Sequence, residues 1–381
     1  MGPLDGVKVV EFAGIGPGPM CCMLLADMGA TVLRIDRSAN VNSDPIEPRF
    51  NTLLRGRKNV AIDLKSAAGR EAALALCEQA DILIEGFRPG VMERLGVGPE
   101  VVLQRNPRIV YGRMTGWGQT GPIAHTAGHD INYIALTGAL HAIGTPESGP
   151  VPPLNLIGDF GGGALYMAMG ALAAYIEAAR SGRGQVVDTS MVEGAASLMT
   201  AAFGQLASGA FVEQRQSNRL DGGCHHYNTY ETADNEHICI GSNEPQFYQL
   251  MLTTVGLGDA DLPAQTDRAS WPMMKAKLAA IFKTKTRAQW CELMEQQDVC
   301  FAPVLRMSEA ITHAHNVARG SFVSIDEVPQ PAPAPRFERT PGGISMGSAH
   351  AGEHTLEALA EWGFDADYLN ELEASGAVRQ R

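Results

Sequence analysis

The stretch Val7-Lys8-Val9-Val10-Glu11-Phe12-Ala13-Gly14-Ile15-Gly16-Pro17-Gly18-Pro19 sets the reading of the whole chain. Its first six residues are Val-rich and then give way abruptly to Gly and Pro, the pattern of a buried strand ending in a tight loop. Met20 to Met28 reads as a helix closed by Gly29, with prolines confined to its entry. The alternation continues with a strand at Thr31–Asp36, a helix at Ser66–Ala80, and strands at Asp81–Glu85 and Arg108–Met114. Strands separated by helices predict a parallel sheet in an open, Rossmann-like α/β layer.

Further along, Gly161–Tyr175 is a nearly all-apolar helix stopped by Ser181-Gly-Arg-Gly184, followed by a strand at Gln185–Asp188 and a helix at Val192–Leu206. After residue 220 the pattern changes. Tyr227–Ile240 alternates around a polar turn, as an antiparallel hairpin does, and helical patterns fill residues 245–315. Pro329, Pro331, Pro333, Pro335 and Pro341 predict a rigid, extended connection, and residues 353–373 a last helix that returns to the first domain. The expected organisation is a large α/β domain begun by 1–187, a linker at 188–223, a smaller α+β domain at 224–316, a Pro-rich linker at 317–342, and the completion of the large domain by 343–381.

The 381 residues carry 30 Lys+Arg against 42 Asp+Glu, a net charge of −12, with no long basic run. That balance argues against a nucleic-acid or membrane-surface protein, while an anionic ligand can still bind where Arg and Lys converge. Seven scattered cysteines without a C-x-x-C pair read as reduced thiols. The N-terminus opens on a strand rather than a leader, no run reaches the ~18 apolar residues of a membrane span, and Val378-Arg-Gln-Arg381 is not a peroxisomal tripeptide. A cytoplasmic protein is expected.

Several constellations could carry chemistry. Gly14-x-Gly16 after a strand, with Asp36 ending the next, suggests a dinucleotide fingerprint, but its third glycine is Pro19, and Pro17 and Pro19 remove N–H groups that would hold a pyrophosphate. A structural turn or another nucleotide-like ligand is left. Arg55-Gly-Arg-Lys58 with Arg37 and Arg88 forms a basic set that reads either as a phosphate site or as a solvated loop. His129 reads as a core histidine or a general base. Asp159 reads as a helix N-cap or as a carboxylate beside free helix-start N–H groups, with Gly161–Gly163 letting a ligand approach. Glu244, before Pro245, is an acidic helix-start residue or the orienting partner of a catalytic His. Cys224-His225-His226 and His313-x-His315 offer no complete metal-ligand set, so no metal is expected.

Taken together, the opening segment, Arg34-Ile-Asp-Arg37, Arg113-Met-Thr-Gly-Trp-Gly-Gln-Thr-Gly-Pro122, Ala127-Gly128-His129-Asp130-Ile131-Asn132-Tyr133, Asn155-Leu-Ile-Gly-Asp-Phe-Gly-Gly-Gly163, Gly184-Gln-Val-Val-Asp188, Leu220-Asp-Gly-Gly223, Glu244-Pro-Gln-Phe-Tyr248 and Gly352-Glu-His-Thr355 resemble the family III CoA transferase superfamily. Within it they resemble the α-methylacyl-CoA racemases, the 127–133 and 244–248 blocks being specific to that branch. The resemblance implies a large α/β domain made from both chain ends, a smaller domain, and a homodimer of two interlocked subunits with the active site shared between them. It assigns His129 and Asp159 as the two acid/base residues and Glu244 as the partner of the His from the other subunit. Arg37, Ala61, Ile62, Asp63 and Leu64, with Ala127, Gly128, Asp130, Ile131 and Asn132, match positions lining the CoA and thioester site. Arg88 joins them on chemical grounds, as a phosphate partner.

The implied reaction inverts the 2-methyl stereocentre of a 2-methylacyl-CoA by removing the α-proton from one face and returning another on the opposite face. No cofactor is required, since the thioester acidifies the α-carbon and CoA enters as part of the substrate. The Asp159 N–H is the candidate donor to the enolate oxygen. The chain departs from the family pattern at Cys224-His225-His226 and at Asn243, which would make the acyl pocket more polar if they face it. The alternative reading is a CoA transferase of the same fold with Asp159 as nucleophile. A non-catalytic acyl-CoA-binding protein and an NAD-dependent oxidoreductase are more distant rivals.

Overall fold

A computed structural model describes residues 2–43 and 46–381. These form two compact units, one comprising the chain up to Thr137 with Pro153–Met199 and Arg319–Arg381, the other Gly138–Pro152 with Thr200–Ala318.

The first unit is built on six parallel strands, β1 (Lys8–Phe12), β2 (Thr31–Arg37), β3 (Lys58–Ile62), β4 (Ile82–Glu85), β5 (Val110–Thr115) and β6 (Val186–Ser190), in the order β3-β2-β1-β4-β5-β6. The order reverses between β1 and β4, so the strand ends splay there into the crevice where open α/β sheets hold ligands. Helices α1 (Pro17–Asp27), α2 (Ala67–Gln79), α3 (Asp130–Ala135), α4 (Leu165–Ser181) and α5 (Met191–Leu198) belong to the same unit. Side chains that alternate along each strand feed two cores. Val10, Leu33 and Tyr111 pack with Leu76 of α2, while Val9, Val32 and Val110 pack with Cys22 and Leu25 of α1 and Met167 and Ala171 of α4. Each fully buried Val or Leu contributes about 1.5–3 kcal/mol, which is why the central strands read as continuous apolar runs.

The C-terminus joins this sheet. Asp63 N–H donates to the Ala377 carbonyl at 2.8 Å and Arg379 N–H to Ala61 at 3.0 Å, while Ala358, Leu359 and Leu372 enter the first core. The unit is thus assembled from both chain ends. The stretches read as linkers are structured. Residues 186–199 supply β6 and α5, and residues 319–342 carry a hairpin, Phe322–Ile325 with Val328–Pro331, in place of a simple extended connection. Arg55 ties that hairpin down by donating to Gln330 Oε1 and to the Pro331 carbonyl, both at 2.8 Å.

Buried charges explain the basic set. Arg55 is paired with Asp27 at 2.6 Å, and Arg57 and Arg34 both pair with Glu11, which is 1% exposed. Lys58 reaches Glu357 and Glu361 at 2.5 and 2.6 Å. Arg55, Arg57 and Lys58 therefore form neither a phosphate site nor a solvated loop; they are internal braces and a surface clasp.

The run Leu156–Ser181 is long and apolar enough to cross a membrane, yet Met167, Ala168, Ala171 and Ala174 of that run are buried in the second core. Its first nine residues, Leu156–Ala164, form a wider π-type helical turn rather than an α-helix.

The second unit carries an antiparallel sheet of β7 (Tyr227–Glu231), β8 (His237–Gly241) and β9 (Phe301–Pro303), in the order β9-β8-β7. Helices α6 (Pro245–Thr254), α7 (Trp271–Phe282) and α8 (Arg287–Met294) bury Met251, Leu278, Phe282 and Trp290 against Ile238 and Ile240. Cys224, His225 and His226 belong to this interior, being 0%, 0% and 3% exposed. They pack inside the unit and do not line an acyl pocket, so the expectation of a more polar pocket from these three residues is withdrawn. His225 Nε2 meets the Tyr248 hydroxyl at 2.7 Å, Tyr230 OH donates to the His225 carbonyl at 2.6 Å, and His226 packs edge-on to Trp271.

Burial pushes both imidazoles down to about 4, from an ordinary 6.5. Below pH 6.5 the unfolded chain takes up protons that the folded unit refuses, so their contribution to stability is complete above about 6.5 and is lost as pH falls towards 4. Urea midpoints should drop across this window, and the drop should be smaller in His226→Phe; equal slopes would show that the pair does not govern acid sensitivity.

Candidate active site

A cleft of about 470 Å³ opens at the carboxyl ends of β1, β4 and β5, over the point where the strand order reverses. Its walls are Gly14–Pro19, Glu85–Pro89 and Met114–Trp117, and Gly128, His129, Tyr133, Asn155 and Asp159 complete it. A second cleft of about 530 Å³ lies at the ends of β1, β2 and β3, lined by Arg37, Ile62, Asp63, Leu64 and Lys65. Phe12 and Phe87 line both.

The first wall follows from the opening sequence. Gly16, at φ +67°, is the N-cap of α1, and Pro17 and Pro19 occupy its first turn. Those prolines take two N–H groups from the helix start, so it makes a poor pyrophosphate cradle. Asp36 is already occupied as well, accepting from Arg34 Nε at 3.2 Å, Asn40 Nδ2 at 2.8 Å and Asn59 Nδ2 at 3.2 Å. The dinucleotide reading loses both of its anchors.

Asp159 sits inside the π-type turn, where Phe160 N–H reaches back five residues to the Asn155 carbonyl at 3.3 Å. It is therefore not an N-cap. Its carboxylate accepts from Asn155 Nδ2 at 3.1 Å, and its own N–H donates to Asp130 Oδ1 at 2.7 Å. That bond consumes the donor expected for an enolate oxygen, so the expectation that the Asp159 N–H serves that role is withdrawn. Burial raises the Asp159 pKa, the Asn155 hydrogen bond opposes the rise, the negative charge of Asp130 adds to it, and His129 lowers it.

The glycines after Asp159 serve packing rather than ligand approach. A Cβ on Gly162 would lie 2.5 Å from the Ala195 nitrogen, and one on Gly163 would lie 2.9 Å from Met191 Cγ and 3.0 Å from Pro17 Cβ. Their absence lets the π-type turn lie directly against α5 and the start of α1.

His129 is the N-cap of α3 and donates its backbone N–H to Asn132 Oδ1 at 3.0 Å, while its ring is exposed in the cleft. Tyr133 OH donates to the Gly128 carbonyl, and the Tyr133 ring stands edge-on to Trp117 at 4.8 Å. This aromatic pair supports the segment carrying His129. A Cβ on Gly128 would lie 2.7 Å from Tyr133 and 2.9 Å from Trp117, so only glycine fits between them.

The structure thus brings His129 and Asp159 into one cleft, together with Gly128 and Arg88, and gathers Arg37, Ile62, Asp63 and Leu64 around the other. Arg37 and Arg88 form no ion pair among the described residues and stay exposed. Ala61 lines neither cleft; it is buried, and its N–H donates to Thr355 Oγ1 at 3.1 Å. Ala127, Ile131 and Asn132 also stand outside the lining, and Asp130 lies beneath it, 6% exposed. Glu244 lies in the second unit, exposed at the N-cap of α6. The Asn243 carbonyl accepts from Gln265 Nε2 at 3.0 Å. Among the described residues, no group of three or more His, Cys, Asp or Glu is placed to hold a metal ion.

Glu85 was missed from sequence. It ends the apolar strand Ile82-Leu-Ile-Glu85 beside the reversal point, and an acid in that place is the signal that could have revealed it. Its carboxylate accepts Phe87 N–H at 2.7 Å and Arg113 Nε at 3.0 Å, which fixes the loop between the two clefts. Burial pushes its pKa up to about 7 against both hydrogen bonds.

A Cβ on Gly16 would lie 3.0 Å from Asp159 Oδ2 and would force a non-glycine residue into the left-handed region. Gly16→Ala should cost about 1–2 kcal/mol of stability, read as a lowered urea midpoint, and a midpoint equal to the parent's would refute this account of the loop.

The chain matches the model of CoA-transferase family III over residues 4–355. It is 46% identical over 377 residues to the α-methylacyl-CoA racemase of Mus musculus, covering 98% of this chain and 97% of the relative. To the α-methylacyl-CoA racemase of Homo sapiens it is 42% identical over 379 residues, with coverage of 98% and 97%. Among solved structures, a CAIB/BAIF family protein from Brucella suis superposes with a TM-score of 0.82 at 25% identity, covering 95% of this chain and 99% of that one.

Proposed function

The chain belongs to CoA-transferase family III, and from that membership we propose that it is an α-methylacyl-CoA racemase, epimerising the 2-methyl stereocentre of 2-methylacyl-CoA thioesters. The observation that carries the reading is the pairing of His129 and Asp159 in one cleft. Identity of 46% and 42% to racemases over nearly the whole chain favours it over the transferase alternative, in which Asp159 would be a nucleophile.

The chemistry follows from the two groups. One base takes the α-proton, the C–H electron pair moves into the thioester as an enolate, and the conjugate acid on the opposite face delivers a proton to the same carbon. The reverse reaction exchanges the roles. The raised pKa of Asp159 keeps its two protonation states closer in energy at neutral pH, as a group alternating between acid and base requires. Each positioned acid or base contributes ~10²–10⁴-fold. The thioester itself acidifies the α-carbon, so the reaction calls for no cofactor.

The acyl thioester occupies the His129/Asp159 cleft, and the nucleotide end of CoA extends past Phe12 and Phe87 into the second cleft, with Arg37 and Arg88 available to its phosphates. Glu244 of a second copy orients His129. The homodimer this requires is supported by Leu165, Met169 and Ile176, which share one face of α4 and are 52%, 61% and 51% exposed, a stripe that a second copy would cover.

A single epimer of a 2-methylacyl-CoA incubated with the protein in deuterated water should lose its α-proton NMR signal as the opposite epimer appears. His129→Ala and Asp159→Ala should stay folded and fall at least ~10²-fold in rate. A silent α-proton, with CoA passing to an added carboxylate, would replace the racemase reading by the transferase one. Light scattering should give twice the chain mass, and a monomer that still epimerises would exclude the shared site.

A further inference from the structure

Asp130 has the geometry of a part built for its neighbour. It is 6% exposed, and its Oδ1 receives the Asp159 N–H at 2.7 Å. Among the described residues its Oδ2 is buried without a hydrogen-bond partner. The turn carrying Asp159 is shaped around it, since a Cβ on Gly158 would lie 2.6 Å from Asp130 Oδ1. A half-satisfied buried carboxylate is costly, and an amide or a small apolar residue would fill the place more cheaply, so its charge needs a reason.

We propose that Asp130 is the positioning residue of Asp159: it anchors the π-type turn through the Asp159 N–H and brings a second carboxylate next to the reacting residue. This rests on the racemase reading, in which Asp159 must accept and return the same proton. An isolated carboxylic acid is a weak base at neutral pH and gives up its proton too readily to store it. A second carboxylate nearby disfavours the ionised form. The direction of the Asp159 shift agrees, burial leading and Asp130 adding to it.

The other groups facing Asp159 do not supply this field. His129, at the opening of α3, acts in the opposite sense. Tyr133 on α3 has its pKa pushed up to about 12, by burial first, and stays neutral. Asn155 donates a hydrogen bond that favours the ionised form. Glu85 and Arg88 line the same cleft, Glu85 already paired with Arg113, and Gly14–Pro19 bring no ionisable side chain.

Two variants separate position from charge. Asp130→Asn keeps an oxygen able to accept the Asp159 N–H and removes the charge, whereas Asp130→Ala removes both. With ¹³C-labelled aspartate, the Asp159 carboxyl resonance, identified by its loss in Asp159→Asn, should titrate at lower pH in Asp130→Asn than in the parent. An unmoved midpoint overturns the proposal whether or not the protein turns over any thioester. In α-proton exchange, the acid limb of kcat/KM should move to lower pH in Asp130→Asn, and Asp130→Ala should lose about 10²-fold in kcat with little change in KM. A kcat within twofold of the parent in a folded Asp130→Ala would also overturn it. A parent protein silent in exchange would instead sink the racemase reading, leaving the titration to decide on Asp130.

Discussion

The carboxylate of Glu11, buried near the carboxyl end of β1 and held between the guanidinium groups of Arg34 and Arg57, is the interaction on which the site depends. An ionised group taken this far from water costs several kcal/mol unless paired, and here each oxygen has its own cation. The pairing also has a geometric product. Arg34 donates onward to the Gly14 carbonyl at 3.3 Å and Arg57 to the Pro19 carbonyl at 3.0 Å, the two ends of the loop that walls the reaction cleft. A loop of three glycines and two prolines has almost no side chains with which to fix itself, so its shape is imposed from the strands beneath. Arg55, Arg57 and Lys58, which read as part of a basic patch, are thus spent on architecture, while Arg37 and Arg88 form no ion pair among the described residues and stay exposed at the clefts.

A second constraint is the wide turn at Leu156–Ala164. Extra residues in a helical turn cost hydrogen-bond quality and persist where the surroundings impose them, often at functional sites. Here the imposition comes from both sides. Gly162 and Gly163 press against α5 and the start of α1, and Asp130 takes the Asp159 N–H from the opposite direction. The Asp159 carboxyl is then presented beside the loop at Gly16, where only a hydrogen atom on the neighbouring Cα leaves room for it.

Much of this was legible in the chain. The Val-rich run before Gly14 placed β1, and the alternation of strands and helices predicted the parallel sheet, because strands buried on both faces leave an apolar signature that survives without any knowledge of partners. The local pattern left His129 and Asp159 open between structural and catalytic roles, and only the family resemblance singled them out as an acid/base pair. What stayed hidden was contact at long range. Nothing local says that Arg57 reaches Glu11 rather than solvent, that His225 and His226 turn inward, or that the Asp159 N–H already has a partner 29 residues away. Asp159 also looked like an N-cap, because an acid before glycines and an apolar helix has that local pattern, and the helix in fact starts earlier through the π-type turn. Prolines between 329 and 341 suggested an extended link, but Gln330, facing inward, lets Arg55 fold that segment onto the sheet.

The two clefts bear on how such a site could reach its rate. Inverting a carbon centre offers little for a protein to grip, since the two epimers differ only in the exchange of a hydrogen and a neighbouring substituent at one carbon. Binding energy has to come from elsewhere in the substrate and be used to hold the reacting carbon between two bases. In the proposed reaction that grip is taken in the second cleft, lined by Arg37 and the Ile62–Leu64 strand end. Phe12 and Phe87 line both spaces, so the same two rings bound the second cleft and the cleft that holds His129 and Asp159. Phe87 is held by Glu85 through its own backbone N–H, and Glu85 is held by Arg113, which passes on to Glu93 at 2.8 Å. The partition between the two clefts is therefore braced by hydrogen bonds and an ion pair. In the proposed reaction, contacts made far from the stereocentre fix its position, as proton transfer between two bases requires.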